Sequence, residues 1–139
     1  MLGLQLTFAP EVREQQDIEP AFDALRRAGV HACFVVGGPV IYAHRQQVAE
    51  LELRHRLPAI HYSADYVRAG GLLSYGTDLV AQFRRSAYFI ARILNGAKPA
   101  DLPVEQPARF ETALNLATAR ALGLNVPPSL LLRVDVAIQ

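Results

Sequence analysis

Residues 70–115 read GGLLSYGTDLVAQFRRSAYFIARILNGAKPADLPVEQPARFETALN, and this stretch decides the fold of the chain. It predicts a short strand at Leu72–Tyr75, a long amphipathic helix capped by Thr77 or Asp78, and a proline-spaced connector. The inward face of that helix is expected to comprise Leu79, Val80, Phe83, Ala87, Ile90, Ala91 and Leu94. No set of catalytic groups is visible here, so we interpret the stretch as part of a sheet-and-helix lobe whose loops bind a small molecule.

Composition excludes several classes of protein. The chain has 139 residues, the size of one domain, and its net charge of +1 gives no field that would attract nucleic acid or an acidic membrane. Cys33 is the single cysteine, which excludes an intrachain disulfide, and its apolar surroundings predict a small buried side chain. The chain shows neither a secretory signal nor a run of about 18 apolar residues, so on its own it predicts a soluble, cytoplasmic protein.

Strands and helices alternate along the first half of the chain. Alternating leucines predict a strand over 2–6, and the apolar runs 31–36 and 58–62 predict two more, the first of these covered on both faces. Helices are expected between Asp17 and Gly29 and from about Val40 to His55. Their inward residues would be Ile18, Ala21, Phe22, Leu25 and Ala28, and then Ile41, Val48 and Leu51. This rhythm predicts a three-layer α/β/α fold with a mainly parallel sheet.

The sequence changes character after Gly96. Three prolines between residues 98 and 107 predict an extended connector. A strand is expected at Phe110–Leu114, a short helix over 116–122 behind Asn115, and a last helix from Pro127 towards Ile138. These last residues are apolar and have little core of their own to join.

The candidate binding residues follow from the expected sheet, because ligands bind beyond the carboxyl ends of parallel strands. Glycines at two of these ends permit close backbone approach, and the other groups there are hydroxyls and aromatic rings without a reactive pair. Such groups suit a small polar or aromatic ligand. The alternative is that the tyrosines only cover the edge of the sheet and bind nothing. The residues concerned are Tyr62, Ser63, Asp65, Tyr66, Ser74 and Tyr75.

The histidines do not predict a metal site. His44 and His55 share a helix face but lie about 16 Å apart at about 1.5 Å per residue. A parallel sheet places His31 and His61 at opposite edges. The turn at 37–39 lacks both the Walker lysine pattern and G-x-G-x-x-G, so it is interpreted as a tight strand-to-helix turn rather than a phosphate site.

Longer motifs resemble a known family. GGLLSYG (70–76), LVAQFRRSAYFIARILNGAKPADLPVEQPARFETALNL (79–116) and ATARALGLNVPPSLLLRVD (117–135) are similar to the C-terminal part of ABC transporter substrate-binding proteins of the tryptophan- and tyrosine-uptake type. GLQLTF and RHRLPAI upstream follow the same layout, so the resemblance covers essentially the whole chain. It implies one lobe, the second of two, of a type I periplasmic-binding-protein-like fold.

The resemblance implies binding without chemistry, and no cofactor or metal. The ligand would be an amino acid or a similar small organic solute, delivered to an ABC permease that this chain does not encode, in the periplasm or cell envelope. An acidic residue that family members often carry is replaced here by Gly37–Gly38, so one ligand contact is expected to be lost. Cleft contacts would come from Tyr62, Ser63, Tyr66, Ser74, Tyr75 and Gly76.

The resemblance also divides the chain into an α/β lobe at 1–97 and a segment at 98–139 that would pack on the first lobe. The apolar surface of that segment predicts a homodimer through the C-terminal segment, because a monomer would expose it. A truncated dimeric remnant or interaction module without a ligand is the alternative function. An enzyme is least favoured, since only Asp65 and His61 lie near each other as an acid–base pair.

Overall fold

A computed structural model describes residues 3–107 and 109–139. Five strands form one sheet in chain order, with β1–β2, β2–β3 and β4–β5 parallel and β3–β4 antiparallel. The predicted α/β fold with a mainly parallel sheet is confirmed. The strands are β1 (Cys33–Phe34), β2 (Ala59–His61), β3 (Leu73–Thr77), β4 (Phe110–Asn115) and β5 (Val136–Ile138).

Seven helices occur in the described part of the chain, together with 3₁₀ turns at Gln15–Asp17 and Pro99–Asp101. The helices are α1 (Ile18–Arg27), α2 (Pro39–Ala43), α3 (Arg45–Arg54), α4 (Ala64–Arg68), α5 (Leu79–Leu94), α6 (Leu116–Ala121) and α7 (Pro128–Leu131). The single helix predicted from Val40 to His55 is therefore two helices that meet at His44.

Helices α1 and α3 build the main core against the β1–β2 end of the sheet. Gly29, with φ +66°, ends α1 as predicted, because that backbone conformation favours glycine. The predicted inward faces are buried in both helices except at Ala28, which is exposed, and Ile41, which is only partly buried. Ile18, Phe22, Leu25, Val48, Leu51 and Leu57 form this core.

The C-terminal segment extends the same sheet. Strand β4 pairs with β3 along five residues, and Ala113 of β4 packs with Ala64 and Val67 of α4. In this structure the segment therefore extends the sheet of its own chain, and its expected packing on a first lobe stays a prediction. Because side chains alternate along a strand, Ala113 and Leu114 enter cores on opposite faces of the sheet.

The end of the chain differs from the prediction of a helix reaching Ile138. Helix α7 is short, and β5 follows it as an edge strand beside β4. Asp135 starts this pairing: its backbone N–H donates to the carbonyl of Thr112, and its carboxylate accepts from the Thr112 N–H at 2.8 Å. Alternating Val134, Val136 and Ile138 suit a strand as soon as a partner is available.

The N-terminal strand is absent from the described residues, and Leu2 lies outside them. Leu4, Leu6 and Phe8 are instead 79–90% exposed. The prediction that the run at 31–36 is covered on both faces is also wrong, since Phe34 and Val36 are exposed. The two errors have different causes in the described structure: the N-terminal alternation has no neighbouring strand to pair with, whereas β1 pairs with β2 but has one face that no layer covers.

Helix α5 has the predicted boundaries but not the predicted core. Asp78 caps it by accepting from the N–H of Ala81 at 3.0 Å, and Gly96 closes it. No residue of α5 is buried, and Phe83 on its expected inward face is 75% exposed. The helix leaves the sheet after β3 and the chain returns in β4, so its apolar face finds no partner in the described structure.

Candidate functional site

A shallow depression lies at the carboxyl ends of β1 and β2, the edge where ligands bind in parallel sheets. Its volume is about 440 Å³. Two tyrosine rings and a glycine-rich turn form it, so it offers aromatic faces and open backbone rather than charge. The lining residues are Gly37, Gly38, Pro39, Tyr42 and Tyr62.

Two glycines fix the position of Tyr62. A Cβ placed on Gly37 would overlap the Tyr62 ring, and one placed on Gly76 would overlap the Tyr62 carbonyl oxygen. The turn after β1 and the strand β3 therefore both approach Tyr62 more closely than any other residue type would allow. This explains two of the glycines that the sequence analysis placed at strand ends.

Tyr42 of α2 is the second aromatic wall. Its hydroxyl donates to Oδ2 of Asp65 at 2.7 Å, and Arg68 donates to Oδ1 of the same carboxylate at 3.0 Å. This hydrogen bond to Asp65 raises the pKa of Tyr42 above its usual value, because it favours the neutral phenol. The guanidinium of Arg45 lies 5.0 Å from the centre of the Tyr42 ring.

Sequence reasoning missed Tyr42. The residue lies 23 positions before its partner Asp65, and nothing in the local pattern joins the two. The available signal was its place three residues beyond Pro39, in the first turns of a helix that starts at a strand end. A helix in that position presents its early residues to the same edge of the sheet.

Tyr66 lies behind the two lining tyrosines. It is fully buried, and burial raises the pKa of its phenol. Its ring stacks on His61 with centroids 4.5 Å apart and meets the rings of Tyr62 and Tyr42 edge-on at 5.5 and 6.0 Å. Tyr66 therefore supports the depression from inside and does not face it.

The remaining predicted site residues are divided between the interior and the opposite surface. Ser63 is buried and caps α4 by accepting from the N–H of Asp65 at 3.3 Å. Ser74 is 1% exposed, and its neighbour Tyr75 points the other way, where its ring stacks on Phe110. The structure thus brings Tyr62, Tyr66 and Gly76 together, and it places Ser74 and Tyr75 on opposite sides of β3.

The titratable groups behind the depression form two separate sets of contacts. His61 contacts Glu52, with Nε2 3.0 Å from Oε1, whereas Asp65 binds Tyr42 and Arg68. Asp65 and His61, the candidates that the least favoured enzyme hypothesis would need, are therefore bound to other partners. Burial, and then the Glu52 carboxylate, raise the pKa of Cys33 to about 11, so this thiol stays protonated at neutral pH.

The described residues offer neither a cluster of metal ligands nor a membrane-spanning helix. Within 3–107 and 109–139, no three His, Cys, Asp or Glu side chains gather closely enough to bind a metal ion. In the same part of the chain, no helix has the length and apolar character needed to cross a membrane.

A protein-family comparison matches nearly the whole chain. The model of the family described as ABC transporter substrate binding protein matches residues 2–137. The comparison with curated proteins gives no match.

Solved structures share the fold. The ABC domain in complex with L-Trp from Streptococcus pneumoniae has 25% identity and a TM-score of 0.81, over 91% of this chain and 44% of that one. A conserved domain protein from Vibrio cholerae has 20% identity and a TM-score of 0.83, over 91% and 42%. A ligand-free, open substrate-binding protein with adhesive properties from Clostridium difficile has 16% identity and a TM-score of 0.65, over 92% and 42%. The chain thus spans less than half the length of the structures that it matches.

Proposed function

We propose, because the chain belongs to the ABC transporter substrate-binding protein family, that it acts as a solute-binding lobe of an ABC importer and performs no chemistry. The observation that carries this proposal is the depression at the carboxyl ends of β1 and β2. It is lined by two tyrosine rings and three residues of a glycine-rich turn, which suits a small organic solute with an apolar or aromatic part.

An amino acid is the solute we propose. The related protein from Streptococcus pneumoniae, at 25% identity, has been solved in complex with L-Trp. Tyr62 and Tyr42 would contact the solute with their ring faces, and Gly76 lies against the backbone of Tyr62. Of the other predicted contacts, Ser63, Tyr66 and Ser74 would support these groups from the interior, and Tyr75 would reach a solute only from the other side of β3.

We further propose that part of the chain docks on a first lobe. The division predicted from sequence assigned residues 98–139 to this role. Helix α5 supports a docking surface that begins before residue 98, because most of its apolar side chains are exposed. Strands β3 and β4, paired antiparallel, carry the chain out to α5 and back. Burying a few hundred Å² of this face at about 25 cal/mol per Å² would contribute several kcal/mol.

The same exposed surface supports the alternative of a dimeric remnant or interaction module without a ligand. Val80, Phe83 and Leu94 are each more than half exposed, and a second copy would cover them if no first lobe did. The predicted dimer through the C-terminal segment stays a second form of this alternative, because β5 is an edge strand and pairs only with β4 in the described structure. Under the leading proposal, the partner would be an ABC permease and the location extracytoplasmic.

Native mass spectrometry of the purified chain with a panel of free amino acids distinguishes these proposals. A retained amino acid, with calorimetry giving saturable binding at one site per chain, would support solute binding. Dimers that bind no member of the panel would support the interaction module instead. A chain that is monomeric and binds no member of the panel would contradict both.

A further inference from the structure

Two side chains that carry charge or titrate are buried directly behind the depression. Glu52 on α3 is 2% exposed and His61 at the end of β2 is fully buried. Nε2 of His61 lies 3.0 Å from Oε1 and 3.2 Å from Oε2 of Glu52. Removing such groups from water costs free energy that an apolar pair of the same size would not cost, so their presence points to a role beyond packing.

A short series of contacts joins this pair to the depression. The His61 ring stacks on Tyr66 with an angle of 11° between the planes, and Tyr66 meets Tyr62 and Tyr42 edge-on at 66° and 76°. Edge-to-face contacts depend on the orientation of both rings. A rotation of Tyr66 would therefore shift both tyrosines that line the depression.

Glu52 is the hydrogen-bond partner that orients the His61 ring. In the described part of the chain, Nδ1 of His61 has no hydrogen-bond partner. Glu52 provides the hydrogen bond that His61 makes. Gly71 closes the space beside them, since a Cβ there would lie 2.9 Å from the Tyr66 carbonyl oxygen and 3.2 Å from Nε2 of His61. Glu52 thus orients the His61 ring by a hydrogen bond, and His61 is the ring that stacks on Tyr66.

We propose that Glu52 and His61 are positioning residues for the solute site. Glu52 fixes the His61 ring, His61 fixes Tyr66 by stacking, and Tyr66 sets the spacing of Tyr62 and Tyr42. Neither Glu52 nor His61 touches the solute. This inference rests on the proposed function for one of its two readouts, which is the affinity of the depression for a solute. The other readout, the circular dichroism of the tyrosines, needs no ligand.

Substitutions at Glu52 test the proposal in the full chain. Glu52→Met keeps the length of the side chain and removes its hydrogen bond, whereas Glu52→Gln retains an amide that can bond His61. With L-tryptophan as the probe, we expect Glu52→Met to weaken binding by about tenfold and Glu52→Gln to stay within about threefold of the parent. Leu25→Ala is the control. Leu25 belongs to the main core that α3 helps to form, and it takes no part in the aromatic contacts.

The control separates positioning from stability. Leu25→Ala should lower the thermal midpoint without changing the affinity for L-tryptophan. Equal affinity losses in Leu25→Ala and Glu52→Met, or unchanged affinity in Glu52→Met, would overturn the proposal. If Glu52→Met does not fold, the double variant Glu52→Met with His61→Phe replaces both polar groups by apolar ones and keeps a stacking ring whose plane is no longer fixed. It should show the same affinity loss.

Near-ultraviolet circular dichroism gives a readout without ligand, because the chain has five tyrosines and no tryptophan. Glu52→Met, which removes no tyrosine, should change the tyrosine signal, and Glu52→Gln should restore it. If the parent binds no L-tryptophan, the proposed solute fails while this signal still decides on positioning. A tyrosine signal that is the same in all three proteins would overturn the inference.

Discussion

Helices α1 and α5 carry the same kind of amphipathic pattern and reach opposite environments. In α1, Ile18 and Phe22 are 0% and 6% exposed, whereas Phe83 of α5 is 75% exposed. Helix α1 precedes β1 and packs with α3 in the main core, while α5 connects the antiparallel strands β3 and β4. A hydrophobic stripe thus identifies the face of a helix that will be buried, but only the topology supplies what buries it.

The largest expected effect is a difference in the free energy of unfolding between a variant in α1 and a variant in α5. Phe22→Ala should lower the free energy of unfolding by about 3–5 kcal/mol, because it leaves a cavity in the main core. Phe83→Ala should change it by no more than about 0.5 kcal/mol, because the side chain is already in water. Denaturant unfolding of both variants measures the difference. Similar losses in the two variants would show that α5 packs on the lobe.

The next effect concerns the turn beside Tyr62. Gly37→Ala should destabilise the chain by about 1–3 kcal/mol, because the new methyl group would overlap the Tyr62 ring and force it to move. Gly38→Ala is the matched control, since a Cβ there meets nothing within 4 Å. Thermal unfolding compares the two variants. Equal midpoints would contradict the close approach of Tyr62 to the turn.

A smaller effect is expected in the ionisation of Tyr42. Asp65→Asn should lower the pKa of Tyr42 towards its usual value, because the carboxylate that accepts the phenol hydrogen bond favours the neutral form. Ultraviolet difference spectra at rising pH follow the tyrosinates as they form. In the parent, Tyr42 should ionise at higher pH than in Asp65→Asn. An unchanged titration curve would show that the hydrogen bond is not made in solution.

The smallest expected effect concerns the ion pair between Arg85 of α5 and Glu105 of the connector. Arg85 donates two hydrogen bonds to Glu105, at 2.7 and 2.5 Å, and these lower the pKa of Glu105. Arg85→Gln should raise the Glu105 pKa towards its usual value without a measurable change in the thermal midpoint, because exposed ion pairs contribute little. Carboxylate chemical shifts in a pH titration follow Glu105. A clear loss of stability would show that this pair anchors α5 to the connector.

Elements that depend on nearby residues could be predicted from the sequence. Asn115 caps α6 by accepting from the N–H of Thr118, and Asp78 caps α5, both at the expected positions. Elements that need a distant partner could not be predicted reliably. The alternating Leu4 and Leu6 form no strand in the described residues, and the run at 31–36 has one exposed face. Neither a missing pairing strand nor a missing covering layer can be recognised from the local pattern.

The site shows the same limit at the level of single residues. Tyr62 lines the depression as the strand-end argument suggested, whereas Tyr66 and Ser74, chosen on the same argument, are buried. Strand-end position indicates which edge a residue lies near, but the direction of each side chain depends on the packing of α4 against the sheet. The place of Tyr42 in the site could not be predicted, because it depends on a contact with Asp65 that only the folded structure reveals.

Titration of the chain with L-tryptophan, followed by the emission of the ligand, shows whether the depression binds this solute, because the protein contains no tryptophan of its own. Tyr62→Ala removes the central ring of the depression, and Tyr88→Ala removes an exposed ring on α5 as a control. The account predicts saturable binding to the parent and to Tyr88→Ala, and a loss of at least about tenfold in Tyr62→Ala. Binding that is equal in all three proteins, or absent from the parent, would contradict it.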